Sequence, residues 1–275
     1  MTKRVLCLGN SHLAAVRDAL TRFENLWPSL DVTCVGAHGD ALLETTCAGG
    51  ILTPKSDQAI DNFQTLGGMG AIDLNAYDAI IVVGCQVACS RASYLYRRAR
   101  WAALPSVIDC ADIINQPWTL VSEPAFAAML YETLSKTLGG KFIHHLRQGT
   151  NRPIYLANQP RTATGIMDIE QHALTILNDI RRDGDAAAVS IMFERIARQL
   201  CNDHDVTLLV QPRNTIQEHV MTRPAFTKGA VRLSRQGRYP QPPQDIIHAN
   251  ASYGATVLDQ IAKALGVAEL ADVEQ

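Results

Sequence analysis

Apolar residues in this chain fall in short continuous runs that alternate with stretches of helical periodicity. Val5-Leu6-Cys7-Leu8, cut off by Gly9-Asn10, predicts a first strand over 4–8. Leu13, Val16, Leu20 and Phe23 then recur at spacings of three and four, which predicts a helix over 13–23. A second strand over 31–35 follows the turn at Trp27-Pro28-Ser29 and ends in Gly36-Ala37-His38-Gly39-Asp40. Residues 49–70 are weakly patterned, with one short helix over 57–66. A third strand over 78–83 is stopped by Gly84, and helices over 93–103 and 124–138 come next. A fourth strand over 153–157, a strongly periodic helix over 185–200 and a fifth strand over 206–210 complete the alternation. An irregular stretch rich in Pro, Arg and Gln runs to Gln244, and a helix over 252–265 closes the chain.

Strands that are continuously apolar are buried on both faces, so the alternation predicts an α/β fold with a parallel sheet between two helical layers. Right-handed crossovers make 2-1-3-4-5 the expected order for such a sheet of about five strands. The pattern reads as one domain over 1–275, with irregular insertions near 49–70 and 211–244. In a parallel sheet the loops after the strands gather along one edge. Ser11, Gly39, Gln86, Asn158 and the segment with Asp245 and His248 all follow strands, so they are expected to converge there.

Composition narrows the function classes. With 47% hydrophobic residues, 19% charged residues and a net charge of −2 over 275 residues, the chain has no basic excess to suit a nucleic-acid partner. No run approaches the roughly 20 apolar residues of a bilayer span, and the N-terminal run is too short for a secretion signal. Seven cysteines, several in strand-like runs, fit buried thiols in a reducing, cytoplasmic setting. Cys85 and Cys89 lack a second Cys/His pair at zinc spacing, so no metal is expected.

The chemistry lies at the two ends. Ser11 stands at a strand–helix junction, where a hydroxyl meets backbone N–H groups that no helical bond uses. Asp245 and His248, three residues apart, form the carboxylate–imidazole pair that turns a serine into a nucleophile. Taken singly, each has a plainer reading: Ser11 as a helix cap, Asp245 as a turn cap, Gly39 as a turn glycine and His248 as a loop histidine.

Together and in this order, these segments resemble the SGNH (GDSL-type) hydrolases. Gly9-Asn10-Ser11-His12 corresponds to the family's Gly-Asp-Ser motif in its Gly-Asp-Ser-His variant, with Asn replacing Asp. His38-Gly39-Asp40 corresponds to the glycine motif after the second strand, and Asp245 with His248 to the closing Asp-x-x-His. Gly84-Cys85-Gln86-Val87 stands where the family has Gly-x-Asn-Asp. The resemblance implies a flavodoxin-like sandwich with Ser11 as nucleophile, His248 as general base and Asp245 as its orienting carboxylate. It also implies an oxyanion hole from the N–H groups of Ser11 and Gly39 and the Gln86 amide, with Asn158 as an alternative donor.

The implied activity is a serine esterase acting through an acyl-enzyme, plausibly on a small acyl group of a carbohydrate. Two other readings stay open: a coenzyme A-dependent O-acyltransferase of polysaccharide biosynthesis, which alone would need a cofactor, and a non-catalytic carbohydrate-binding module. His12 and His38 flank the expected site. The arginines Arg91, Arg97, Arg98 and Arg100, with Arg232, Arg235 and Arg238, read either as solvated faces or as a lip for an anionic group. Arg235 and Arg238, just ahead of the Asp-x-x-His segment, are candidates for substrate contact together with His12, His38 and Asn158.

Overall fold

A computed structural model describes residues 1–170, 172–234 and 238–267. Five strands, β1 (Lys3–Gly9), β2 (Leu30–Gly36), β3 (Ala79–Gly84), β4 (Ile154–Asn158) and β5 (Thr207–Leu209), form one sheet. All pairings are parallel and the spatial order is β2-β1-β3-β4-β5, the flavodoxin-like arrangement expected. The main helices are α1 (Leu13–Arg22), α2 (Asp57–Gly67), α3 (Ser90–Tyr96), α4 (Glu123–Ser135), α5 (Leu138–Gly149), α6 (Ala186–Asp203) and α7 (Ala251–Ala264).

Alternate residues of each strand enter two different cores. Val5 and Cys7, with Ile81 and Val83, pack beneath Leu13 and Val16 of α1 and Val257 and Ile261 of α7. Leu6 and Leu8, with Ile80, Val82 and Leu156, pack against Phe63 of α2, Leu130 of α4, Phe142 of α5 and Phe193 of α6. Leu6 and Leu8 are wholly buried, and each such side chain stabilises the fold by about 2 kcal/mol. No helix among the described residues is long and apolar enough to cross a membrane.

The structure corrects several expected elements. The helix expected over 124–138 is α4, ending at Ser135, and a further helix that the pattern did not predict, α5, follows it, opened by Thr137 accepting a hydrogen bond from the Gly140 N–H. The helix expected over 93–103 stops at Tyr96, and Ala99–Trp101 forms a strand paired with Thr119–Val121. There Arg100 lies over the rings of Tyr96 and Trp118, and Trp101 meets Phe126, contacts that local periodicity does not encode. The weakly patterned region begins as a hairpin, Thr45–Ala48 against Ile51–Pro54, turning through Gly49 and Gly50 at φ 59° and 81°. The expected irregular stretch after β5 holds two short strands, Ile216–Gln217 and Met221–Thr222, the second paired with Thr162–Ala163.

One close approach positions the ends of the chain. α7 crosses α1 at Gly254, where an added Cβ would stand 2.0 Å from the Ala15 carbonyl oxygen. Only a bare backbone lets the two helices meet so tightly. Ser11 and His248 each lie three residues ahead of the buried Ala14 and Ala251 on these helices, so the contact brings both to one end of the sheet.

Candidate active site

The turn after β1 carries the nucleophile candidate. α1 starts without a side-chain cap, and Ser11 Oγ is not a capping group. It lies instead 2.9 Å from His248 Nε2. Asn10 fixes the turn: its Oδ1 accepts from the N–H of His12 at 3.3 Å and of Cys85 at 3.4 Å. Both bonds need only an oxygen acceptor, so an amide serves here as a carboxylate would.

The last loop supplies the other two groups. His248 Nδ1 lies 3.1 and 3.2 Å from the two oxygens of Asp245. The same carboxylate accepts the backbone N–H of His248 at 3.0 Å and of Ile247 at 3.4 Å. Burial pushes the Asp245 carboxyl up, but the His248 ring and these two N–H groups outweigh it and hold it below the usual carboxylate range. With Asp245 on Nδ1, the neutral imidazole carries its proton there and leaves Nε2 free to accept from the serine hydroxyl.

His12, the sequence candidate next to Ser11, packs against the His248 ring. Its ring stacks on His248 with centroids 5.1 Å apart and planes 28° apart. His12 is 6% exposed and its Nδ1 is buried without a hydrogen-bond partner. Burial first, and the neighbouring His248 second, push its pKa down to about 3, against the opposing pull of Asp245 and a hydrogen bond with Gln159. It is therefore a flat, uncharged support for the His248 ring.

Donors for an oxyanion come from three loops. The N–H groups of Ser11 and Gly39 are bonded to no other group among the described residues. The Gly39 turn is held by Asn62 of α2, whose Oδ1 accepts the His38 N–H at 3.2 Å. The His38 ring is exposed and has no hydrogen-bond partner among the described residues. After β3, Gly84, Cys85 and Gln86 adopt φ 76°, 51° and 66°, three left-handed residues in a row. For the two with side chains this costs about 1–2 kcal/mol each, and it curls the backbone sharply at the sheet edge. At Gly84 a Cβ would also lie 2.8 Å from His12 Cβ. Gln86 Oε1 accepts from Arg91 at 3.0 Å. A guanidinium only donates, so the amide oxygen faces Arg91 and the NH₂ remains to donate elsewhere.

Asn158 is not a comparable donor. It is buried, its Oδ1 accepts the Gln211 N–H at 2.8 Å, and its Nδ2 donates to the Gln159 carbonyl at 2.9 Å. It ties the loops after β4 and β5 together. Arg238 is likewise engaged away from the triad, in a paired contact with Asp18 of α1 at 2.8 and 3.1 Å. Arg235 lies outside the described residues. The arginine cluster of the sequence disperses as well: Arg97 donates to the Ala173 carbonyl and Arg100 pairs with Asp183.

A supporting residue had no signal in the sequence. Arg161 is 2% exposed, and its guanidinium donates to the His219 carbonyl, Gln211, Ser190 and Glu194. Two residues on, the Ala163 N–H donates to the Ile246 carbonyl at 2.8 Å, which fixes the Asp245–His248 loop from behind. Nothing in the spacing around Arg161 separates it from the surface arginines. No protein-family model matches the chain, and no curated protein matches it.

Proposed function

We propose that this protein is a serine esterase that works through an acyl-enzyme on Ser11. The observation that carries the reading is the continuous chain from Asp245 through both nitrogens of His248 to Ser11 Oγ. A serine hydroxyl is a weak nucleophile until a base takes its proton as it attacks. In the first half, Ser11 Oγ bonds to the ester carbonyl carbon and its proton passes to His248 Nε2. Asp245, ionised through the neutral pH range, stabilises the resulting imidazolium. The negative oxygen of the tetrahedral intermediate accepts from the Ser11 and Gly39 N–H groups and the Gln86 amide. Each such donor lowers the barrier by about 3–4 kcal/mol where removal has been measured. The intermediate then expels the alcohol, which leaves with the proton from His248. Water, deprotonated by the same ring, attacks the acyl-enzyme and releases the acid.

The likeness to SGNH hydrolases favours a small acyl group on a carbohydrate as the natural ester. Free thiols at all seven cysteines support a cytoplasmic setting. Hydrolysis of 4-nitrophenyl acetate tests the proposal. The wild type should turn it over, and Ser11→Ala should lower kcat by on the order of 10⁴-fold or more. Turnover unchanged by Ser11→Ala would overturn it.

A further inference from the structure

A pocket of about 180 Å³ is bounded by Gln86, Arg91, Tyr94, Gln159 and Ile247. Ile247 lies between Asp245 and His248 in the chain, and Gln86 is the side-chain donor proposed for the oxyanion, so two wall residues come from the segments that carry the proposed site. At ~30 Å³ per water it holds on the order of six waters, enough for a short chain bearing a polar head. No carboxylate lines it.

Among the described residues, its charge is not fully compensated. Arg161 also reaches the wall, but its guanidinium is paired with Glu194. Arg91 makes one side-chain hydrogen bond, to Gln86, and no ion pair among the described residues. Of five guanidinium donors only one is used among the described residues. A half-buried guanidinium facing a small cavity without an acid favours an anion that can accept two parallel N–H bonds.

We propose that this pocket binds a carboxylate carried by the ester substrate, with Arg91 as its partner. The inference rests on the esterase reading and names the substrate class of that site: an ester of an acidic acyl or alcohol unit. Because Gln86 touches Arg91 and serves the carbonyl oxygen, the carboxylate sits a short chain away from the reacting carbon. The arrangement makes Arg91 a specificity residue.

Binding to Ser11→Ala protein, measured by NMR titration, tests the pocket without requiring turnover. Monomethyl succinate is compared with methyl butyrate for a charge on the acyl side, and acetoxyacetate with acetoxyacetamide for a charge on the alcohol side. One charged ester should bind at least tenfold tighter than its neutral partner. Arg91→Gln should abolish that preference and Arg91→Lys should retain part of it. Equal affinities within both pairs, or a preference that survives Arg91→Gln, would overturn the proposal. Loss of the esterase reading has a different signature: 4-nitrophenyl acetate turnover indifferent to Ser11→Ala, whatever the titrations give.

Discussion

Gly254 of α7 lies against the main chain of Ala15 in α1, with room for no side chain between them. Ser11 lies just ahead of one of these helices and His248 just ahead of the other, so this contact helps set the separation of the proposed nucleophile and base. Alanine in a helix is ordinarily favoured over glycine by about 1 kcal/mol. Here the clash is with backbone atoms that cannot rotate away, and overpacking of this kind costs about 1–3 kcal/mol or more. Gly254→Ala should therefore destabilise the protein in urea titration, and Gly254→Val more so. Esterase activity should fall even where the variant remains folded, since the helices can part only by lengthening the 2.9 Å Ser11–His248 contact.

Gln86 and Asn158 should separate cleanly. Gln86→Ala removes the proposed oxyanion amide and should lower kcat by about 10²–10³-fold with little change in KM. Asn158→Ala cuts the tie between the β4 and β5 loops, leaving the Gln211 N–H without its acceptor, and should cost about 1–3 kcal/mol of stability. Steady-state kinetics and urea midpoints on the two variants decide the matter. The reverse pattern would make Asn158 the donor.

The buried His12 should make the fold acid-sensitive as the pH drops below about 6.5. Its pKa in the folded protein is about 3, against about 6.5 for an unfolded chain. Between those values the unfolded state binds the proton and the native state does not, so stability falls as pH drops. The slope approaches about 1.4 kcal/mol per pH unit below pH 6.5. Asp245 acts with the same sign in a lower window: its depressed pKa adds stability above the unfolded carboxylate range, and that stability is still present at pH 5. Wild type should therefore lose about 2 kcal/mol more than His12→Phe between pH 7 and 5. Parallel losses in the two proteins would mean that His12 titrates normally.

Arg161 should be structural. Replacement by Met leaves Glu194 and several buried acceptors unpaired, which costs about 3–5 kcal/mol where one partner of a buried ion pair is removed. Thermal unfolding should show the loss, and activity in the surviving folded fraction should drop because the loop behind His248 is no longer braced.

The sheet and the triad were legible because both follow from local pattern plus topology. Runs such as Ala79–Gly84 cannot be anything but buried strands, and parallel order then sends Ser11 and His248 to the same edge. The Gly49-Gly50 hairpin was legible in principle, since paired glycines suit a tight turn, but its strands are too short and mixed to show alternation. The division between α4 and α5 depends on Thr137 capping a new helix within an apolar-rich stretch. Gln86 and Asn158 both follow strands and both carry an amide, and only their partners, Arg91 and Gln211, tell them apart. The roles of Gly254, Arg161 and Arg91 are tertiary: each depends on what a distant segment places beside it.

The most direct measurement is reaction of the intact protein with a fluorophosphonate, followed by mass mapping of the adduct. The account predicts one phosphonyl group per chain, on Ser11, lost in Ser11→Ala and strongly slowed in His248→Ala. Failure to label Ser11 under conditions that modify ordinary serine esterases, or labelling at another serine, would contradict it.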